Sequence, residues 1–205
     1  MNQNKITGLI LSAGLSERMG MLKPLIKIKN TPFLAHIIIK LSTVCQRIVI
    51  VTGYQSALIK NEITDWLKDN NRNLLSSLTW CYNADYKSGM LISLQAGLKH
   101  AVDSDWVLYH FADQPHIPQE FYKSFADQIE AAIDWIQPSF NAQSAHPVLF
   151  SSRLIPQIMK LQIHQSLRDL NNMGKLNQKK WNCDFPEILN DIDTPQQLKK
   201  LLESL

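Results

Sequence analysis

Three shortages in this chain each remove a class of protein. Cysteine is scarce. Cys45, Cys81 and Cys183 are odd in number and far apart, with no C-x-x-C spacing. This pattern argues against a disulfide framework or a zinc knuckle and fits three reduced thiols. Long apolar runs are missing as well. No stretch approaches the ~20 apolar residues that a spanning helix needs. The polar start Met1-Asn2-Gln3-Asn4-Lys5 leads only into a strand-length apolar segment, so no secretory signal is indicated. The expectation is a cytoplasmic protein with no membrane partner. Concentrated charge is the third shortage. The 21 lysines and arginines face 18 aspartates and glutamates, a net charge of +3, and they are scattered rather than gathered into a stripe. A small anion suits such a balance; a nucleic-acid groove does not.

With 205 residues, 45% hydrophobic and 19% charged, the chain reads as one ordinary globular domain over 1–205, without internal repeats or low-complexity segments. Short β-rich runs alternate with amphipathic stretches. Ile6–Ser12, Arg47–Thr52, Leu78–Tyr82 and Trp106–Phe111 read as buried strands. Thr31-Pro32 predicts an N-cap followed by proline at the first helical position, with a helix to about Leu41. Further helices are predicted over Gln55–Lys68, Gly89–Val102 and from Pro118 to Ile129. Beyond that the pattern weakens. Strands are expected at Ala132–Ile136, Pro147–Phe150 and Ile188–Ile192, with helices at Arg153–Leu161 and after Thr194-Pro195, while Gln165–Lys180 fits no element. The alternation predicts an α/β fold, a three-layer α/β/α arrangement around a mostly parallel, Rossmann-like sheet. Ligands of such sheets sit beyond the carboxyl ends of the strands.

The segment directly after the first strand, Leu11-Ser12-Ala13-Gly14-Leu15-Ser16-Glu17-Arg18-Met19-Gly20-Met21-Leu22-Lys23, has what a triphosphate needs. Small residues let backbone N–H groups approach phosphate oxygens. Arg18 offers a fork of donors and Lys23 a mobile point charge. It is neither a Walker A loop nor a G-x-G-x-x-G turn. A second segment, Asn83 to Leu98, lies between a strand and a helix, where Gly89 permits a tight turn and helical N–H groups are free. Met90, Leu94 and Leu98 read as its core stripe.

Carboxylates follow two strands. Asp113 stands just past Phe111, in Phe111-Ala112-Asp113-Gln114-Pro115. Asp191 and Asp193, two apart on an extended segment, face one way, next to the capping Thr194. Mg²⁺ generally takes one or two protein carboxylates and fills its octahedron with water and substrate oxygens. His110 and His116 flank Asp113, but their spacing matches no zinc signature, and His110 reads as a core or edge histidine.

LSAGLSERMGMLK closely resembles the LAAGxSxRMGxxK signature of the MobA-like NTP transferases, nearest to the molybdenum cofactor cytidylyltransferase (MocA-like) branch. The Asn83–Leu98 segment, the Asp113 strand end and the D-I-D-T-P run also resemble that family's patterns, and the match spans nearly the whole chain. The resemblance implies a fold of the nucleotide-diphospho-sugar transferase type. It implies nucleotide binding by Leu11, Ser12, Ala13, Gly14, Arg18, Lys23, Asn83, Gly89 and Ser93, with Lys23, Arg18 and Asp113 catalytic. Mg²⁺ would sit on Asp113 and Asp193, with Asp191 the weaker candidate. The implied substrates are a nucleoside triphosphate, CTP favoured, and a phosphorylated acceptor such as the molybdenum cofactor. A molybdoenzyme or its chaperone would be the downstream partner. The departures lie in the acceptor half. Ala145-His146-Pro147 stands where the family carries G-H-P, and the run His164–Arg168 keeps Arg168 but lacks the glycines and the acidic residue of G-D-x-G-A-R. His146 and Arg168 are the candidate acceptor contacts. A transferase acting on a sugar or alcohol phosphate, and a non-catalytic nucleotide-binding accessory protein, stay open as alternatives.

Overall fold

A computed structural model describes residues 4–172 and 176–204. Its strands are β1 (Ile6–Ser12), β2 (Lys27–Ile28), β3 (Thr31–Pro32), β4 (Arg47–Thr52), β5 (Leu78–Tyr82), β6 (Trp106–Phe111), β7 (Trp135–Phe140), β8 (Gln143–Ser144), β9 (Val148–Ser151) and β10 (Gln178–Asn182). Its helices are α1 (Phe33–Leu41), α2 (Ser56–Asn70), α3 (Met90–Leu98), α4 (Gln119–Ala126), the single turn α5 (Ile155–Ile158) and α6 (Pro195–Glu203). The main sheet has the order β10-β7-β9-β6-β1-β4-β5, with β8 paired to β7. β6, β1, β4 and β5 run parallel, β9 runs antiparallel between β6 and β7, and β10 is parallel to β7.

Alternation along the central strands fixes the layers. Ile10, Ile48, Ile50 and Leu108 join the core that takes in α1, α2 and α4. Leu9, Val49, Val51 and Val107 point to the other face, where α3 and α5 pack. On α2 the stripe Ile59, Ile63 and Leu67 is fully covered, each side chain contributing about 1.5–3 kcal/mol from burial. α3 lies close against the sheet: a Cβ on Gly97 would come within 2.6 Å of Val51. The result is a three-layer fold around a mostly parallel sheet. β1 is the switch point, with β4 on one side and β6 on the other.

Several expected elements differ. Thr31-Pro32 is not a cap with proline at the first helical position; it forms β3, antiparallel to β2, and Pro32 itself is the N-cap of α1. Ile188–Ile192 is no strand; Pro186–Leu189 makes a 3₁₀ turn with Ile188 buried, and Ile192 beyond it is buried as well. The helix expected over Arg153–Leu161 shrinks to a 3₁₀ turn and α5. The strand expected at Ala132–Ile136 begins at Trp135. Within Gln165–Lys180, a 3₁₀ turn covers Leu167–Asn172 and β10 begins at Gln178, while residues 173–175 lie outside the described residues. Thr194 caps α6 with a reciprocal Gln197 capping box, as the sequence indicates. No helix among the described residues is long and apolar enough to cross a membrane.

Candidate active site

The loop after β1 folds on itself through Ser16, whose carbonyl accepts from the N–H groups of Met19 and Gly20 and whose hydroxyl accepts from Lys23 N at 3.4 Å. Met19 buries against Ile26, Ile28, Phe33 and Ile192, anchoring the loop in its own small core. Meanwhile the N–H groups of Gly14, Leu15 and Ser16 donate to no acceptor among the described residues. They border a cavity of about 410 Å³ lined by Leu11 through Arg18, Lys23, Pro24, Tyr86, Gly89, Met90, Ser93 and Phe111–Asp113. A ring of free amides beside an Arg and a Lys is an anion cradle.

The charges of this cavity are coupled. Lys23 Nζ lies 3.5 Å from Asp113 Oδ2 and hydrogen bonds Asp193 Oδ1, while Arg18 Nη2 sits 2.6 Å from Asp193 Oδ2. Asp193 is not part of the cavity wall; it stands behind the two cations. Residues 186–193 reach the site as a strap laid across the turn that follows β6. Ile192 N donates to Asp113 O at 2.9 Å, Gln114 Nε2 to Ile188 O at 3.0 Å, and the His116 ring to Glu187 O at 3.2 Å. Residues 80 positions apart thereby share one site.

Burial pushes the Asp113 carboxyl up to about 6; Lys23 pulls the other way and the charges of Asp191 and Asp193 add to the rise. Burial and then the Asp193 charge also raise Asp191. For Asp193, partial burial is outweighed by the hydrogen bond and charge of Lys23 and by Arg18, so its carboxyl is lowered. Asp113 Oδ1 and Ser12 Oγ are buried without a hydrogen-bond partner. Among the described residues no group of three or more His, Cys, Asp or Glu side chains could cage a metal. His110 is fully buried between Phe111 O (2.6 Å) and the Tyr122 hydroxyl (2.8 Å), and burial drives its pKa down to about 3. It is a core histidine.

The β5–α3 segment divides its labour. Gly89 adopts φ 111°, ψ 173°, a conformation open to glycine, and launches α3. Gly89 and Ser93 line the cavity. Asn83 does not line either cavity: it is buried, donates from Nδ2 to Ser93 Oγ at 3.0 Å and accepts from Asp85 N. Its place is a brace behind Ser93. Met90, expected in the core, is 61% exposed, whereas Leu94 and Leu98 are buried.

A second cavity, about 570 Å³, adjoins the first through Gly89, Met90 and Phe111. Tyr109, Phe111, Trp135 and His146 give it aromatic walls, and Arg168 is the one side chain of fixed charge among its lining. The His146 ring lies 4.5 Å from that of Phe111, and burial, aided by the Arg168 charge, lowers its pKa to about 4. His146 is therefore neutral near pH 7, with a buried Nδ1 that has no partner. Ala145, His146 and Gln165–Arg168, the segments that depart from the family pattern, all border this cavity. Where the family carries glycines, Ser166 donates to Asp169 from both N and Oγ, closing the turn with side chains.

Sequence reasoning assigned no role to Tyr86 or Gln114. Tyr86 belongs to the quoted Asn83–Leu98 run, and Gln114 adjoins Asp113, but neither residue type announces a wall or a strap anchor.

The MobA-like NTP transferase domain matches residues 8–179. The chain is 29% identical over 188 residues to the molybdenum cofactor cytidylyltransferase of Escherichia coli (strain K12), covering 91% of this chain and 90% of that protein. It is 26% identical over 195 residues to the molybdenum cofactor guanylyltransferase of Vibrio parahaemolyticus serotype O3:K6, covering 92% and 91%. A nucleotidyl transferase from Methanothermobacter thermautotroptrophicus superposes with a TM-score of 0.76 at 15% identity, over 98% of this chain and 97% of that one. With its whole sheet, phosphate cradle and flanking carboxylates inside or beside the matched span, the chain belongs to the MobA-like NTP transferase family and is a nucleotidyltransferase.

Proposed function

We propose that this enzyme moves CMP from CTP onto the phosphate of an acceptor of the molybdenum cofactor type, releasing pyrophosphate. The observation that carries the reading is that Arg18, Lys23 and Asp113 line a cavity of about 410 Å³ that opens into an aromatic one, with Asp193 paired to the two cations from behind. Free amides of the β1 loop, with Arg18 and Lys23, hold the β- and γ-phosphates. An acceptor phosphate oxygen attacks the α-phosphorus, the bond from that phosphorus to the oxygen bridging to the β-phosphate breaks, and pyrophosphate departs. No protein nucleophile is needed, because the attacking oxygen is already anionic near neutral pH. The work of the chain is positioning and charge compensation.

Mg²⁺ fits the donor set. Asp113 offers a partnerless oxygen, Asp193 is freed as Arg18 and Lys23 turn from it to phosphate, and hard oxygen ligands are what this ion takes. Asp113 and Asp193 would hold it, and when bound it supplies charge neutralisation at the α-phosphate and the leaving group. Ligand-free, the two cations compensate the carboxylates; loaded, each side of that exchange has a new partner.

Two features favour the acceptor class. The second cavity offers flat aromatic faces and no carboxylate among its described lining, a poor match for the many hydroxyls of a sugar phosphate. The cytidylyltransferase and guanylyltransferase relatives act, by their names, on the molybdenum cofactor. For the nucleotide, Ser12-Ala13-Gly14 and the cytidylyltransferase relative support CTP.

The test is a thermal-shift screen of CTP, GTP, UTP and ATP with Mg²⁺, followed by pyrophosphate release with molybdenum cofactor or sugar phosphates as acceptors. A ligand at ~100 times its Kd stabilises by about 2.7 kcal/mol, readily seen. CTP should shift the melt most, and only with the divalent ion. A larger shift with GTP overturns the nucleotide assignment; faster release with a sugar phosphate overturns the acceptor.

A further inference from the structure

The turn after β6 presents Asp113 to the cavity with one carboxylate oxygen buried and without a hydrogen-bond partner among the described residues. Something has to stop the turn from relaxing toward solvent. The strap of residues 186–193 holds its outer side. Its inner side is held by the Ile117 side chain, buried in the core, and by one residue of α1. Lys40 reaches from the last turn of that helix, and its ammonium donates to Pro115 O at 2.6 Å and to Ile117 O at 2.7 Å, carbonyls 75 and 77 positions away. Both carbonyls belong to the same short turn, two and four residues past Asp113. A half-buried ammonium is expensive to desolvate, and burial lowers the pKa of Lys40 to about 8 in spite of the Glu120 charge. Lys40 does not line the cavity and pairs with no carboxylate within salt-bridge distance among the described residues. A tetrahedral ammonium can serve two diverging carbonyls; a methyl end can serve neither.

We propose that Lys40 is a positioning residue that locks the Asp113 turn in register with the phosphate loop. Its catalytic consequence rests on the nucleotidyl-transfer reading above; the lock itself does not. With Lys40 removed, the fold keeps its core, but the turn gains freedom and the carboxylate loses its fixed place opposite Lys23. The nucleotide's phosphates, held by the β1 loop, are untouched. The defect should therefore appear in turnover and in the metal requirement, not in nucleotide affinity.

The experiment compares wild type, Lys40→Met and Lys40→Gln. Amide hydrogen exchange, measured by mass spectrometry on the ligand-free proteins, should accelerate in residues 112–117 and 186–193 of Lys40→Met and stay unchanged in 13–23. With CTP, Mg²⁺ and acceptor, kcat should fall ~10-fold and half-saturating Mg²⁺ should rise, with the KM for CTP within about twofold, as expected when geometry rather than binding is lost. Lys40→Gln keeps an amide donor and should fall between; it is read the same way should Lys40→Met not fold. Unchanged exchange at 112–117 overturns the lock. Faster exchange with an unaltered kcat and Mg²⁺ requirement overturns the positioning role. Wild-type protein that releases no pyrophosphate sinks the proposed function, while the exchange arm still decides the lock.

Discussion

The two cavities meet at Phe111 and Met90 yet are built on opposite principles. The cavity beside the β1 loop is dense with charge: Glu17, Arg18, Lys23 and Asp113 line it, free amides border it, and Asp193 pairs with the two cations from behind. The aromatic cavity is nearly uncharged among its described lining. Its rings are apolar or, in His146, neutral, and Arg168 stands alone at its rim. The contrast teaches where each kind of specificity resides. Triphosphate is the same in every nucleotide, so the first cavity can be read by electrostatics, and its residues follow the family pattern. The second cavity offers shape and stacking faces instead, and the segments that depart from the family pattern border it.

The comparison can be broken most severely from the charged side. Lys23→Ala and Asp113→Ala should each lower the rate of pyrophosphate release by at least ~100-fold, the usual scale for losing one preorganised electrostatic group. Near-wild-type release by either variant would mean the cluster is only structural. On the acceptor side, Arg168→Ala and His146→Ala should raise the acceptor KM by roughly 10-fold, the loss of about one hydrogen bond to a charged group. The KM for the nucleotide should not move, and a nucleotide defect of equal size would erase the division between cavities. The smallest effect is on stability and has the opposite sign. The pKa of Asp113 is raised in the folded chain, so the native state holds the proton more tightly than the unfolded one. Stability therefore falls as pH rises from about 4 to 6, and the loss persists above that. Asp113→Asn should thus melt higher than wild type at pH 7.5 without ligands. The gain is about 2 kcal/mol after discounting for residual solvent exposure, and little of it should remain at pH 4. An unchanged melt at pH 7.5 would show the carboxylate to be better compensated than its burial implies.

The central sheet was legible because β1, β4 and β6 are apolar runs closed by turn residues, and burial on both faces leaves that signature, while the half-buried edge strand β5 is marked by its β-favouring residues. β2 and β3 were invisible: two-residue strands have no period, and Thr31-Pro32 spells a helix cap equally well. Ile188 and Ile192 were read as a strand because buried apolar residues in an extended strap look like one; the backbone partner that decides lies in the turn at Asp113. At the site, sequence placed Asp113 correctly just past the end of β6, but it set Asp191 and Asp193 after a strand that is not there; a strap brings Asp193 to Lys23 instead. Sequence also missed that Met90 faces outward and Asn83 inward, since one turn of helix decides which side of a wall a residue takes.

The strap has a consequence for how the molecule comes into being. Every strand of the sheet precedes residues 186–193, so during synthesis from the N-terminus Lys23 and Arg18 emerge long before Asp193 does. A nascent chain can thus finish its architecture while its cations still await their carboxylates. The last pairing of the site, that of Asp193 with Arg18 and Lys23, thus joins residues from opposite ends of the order of synthesis.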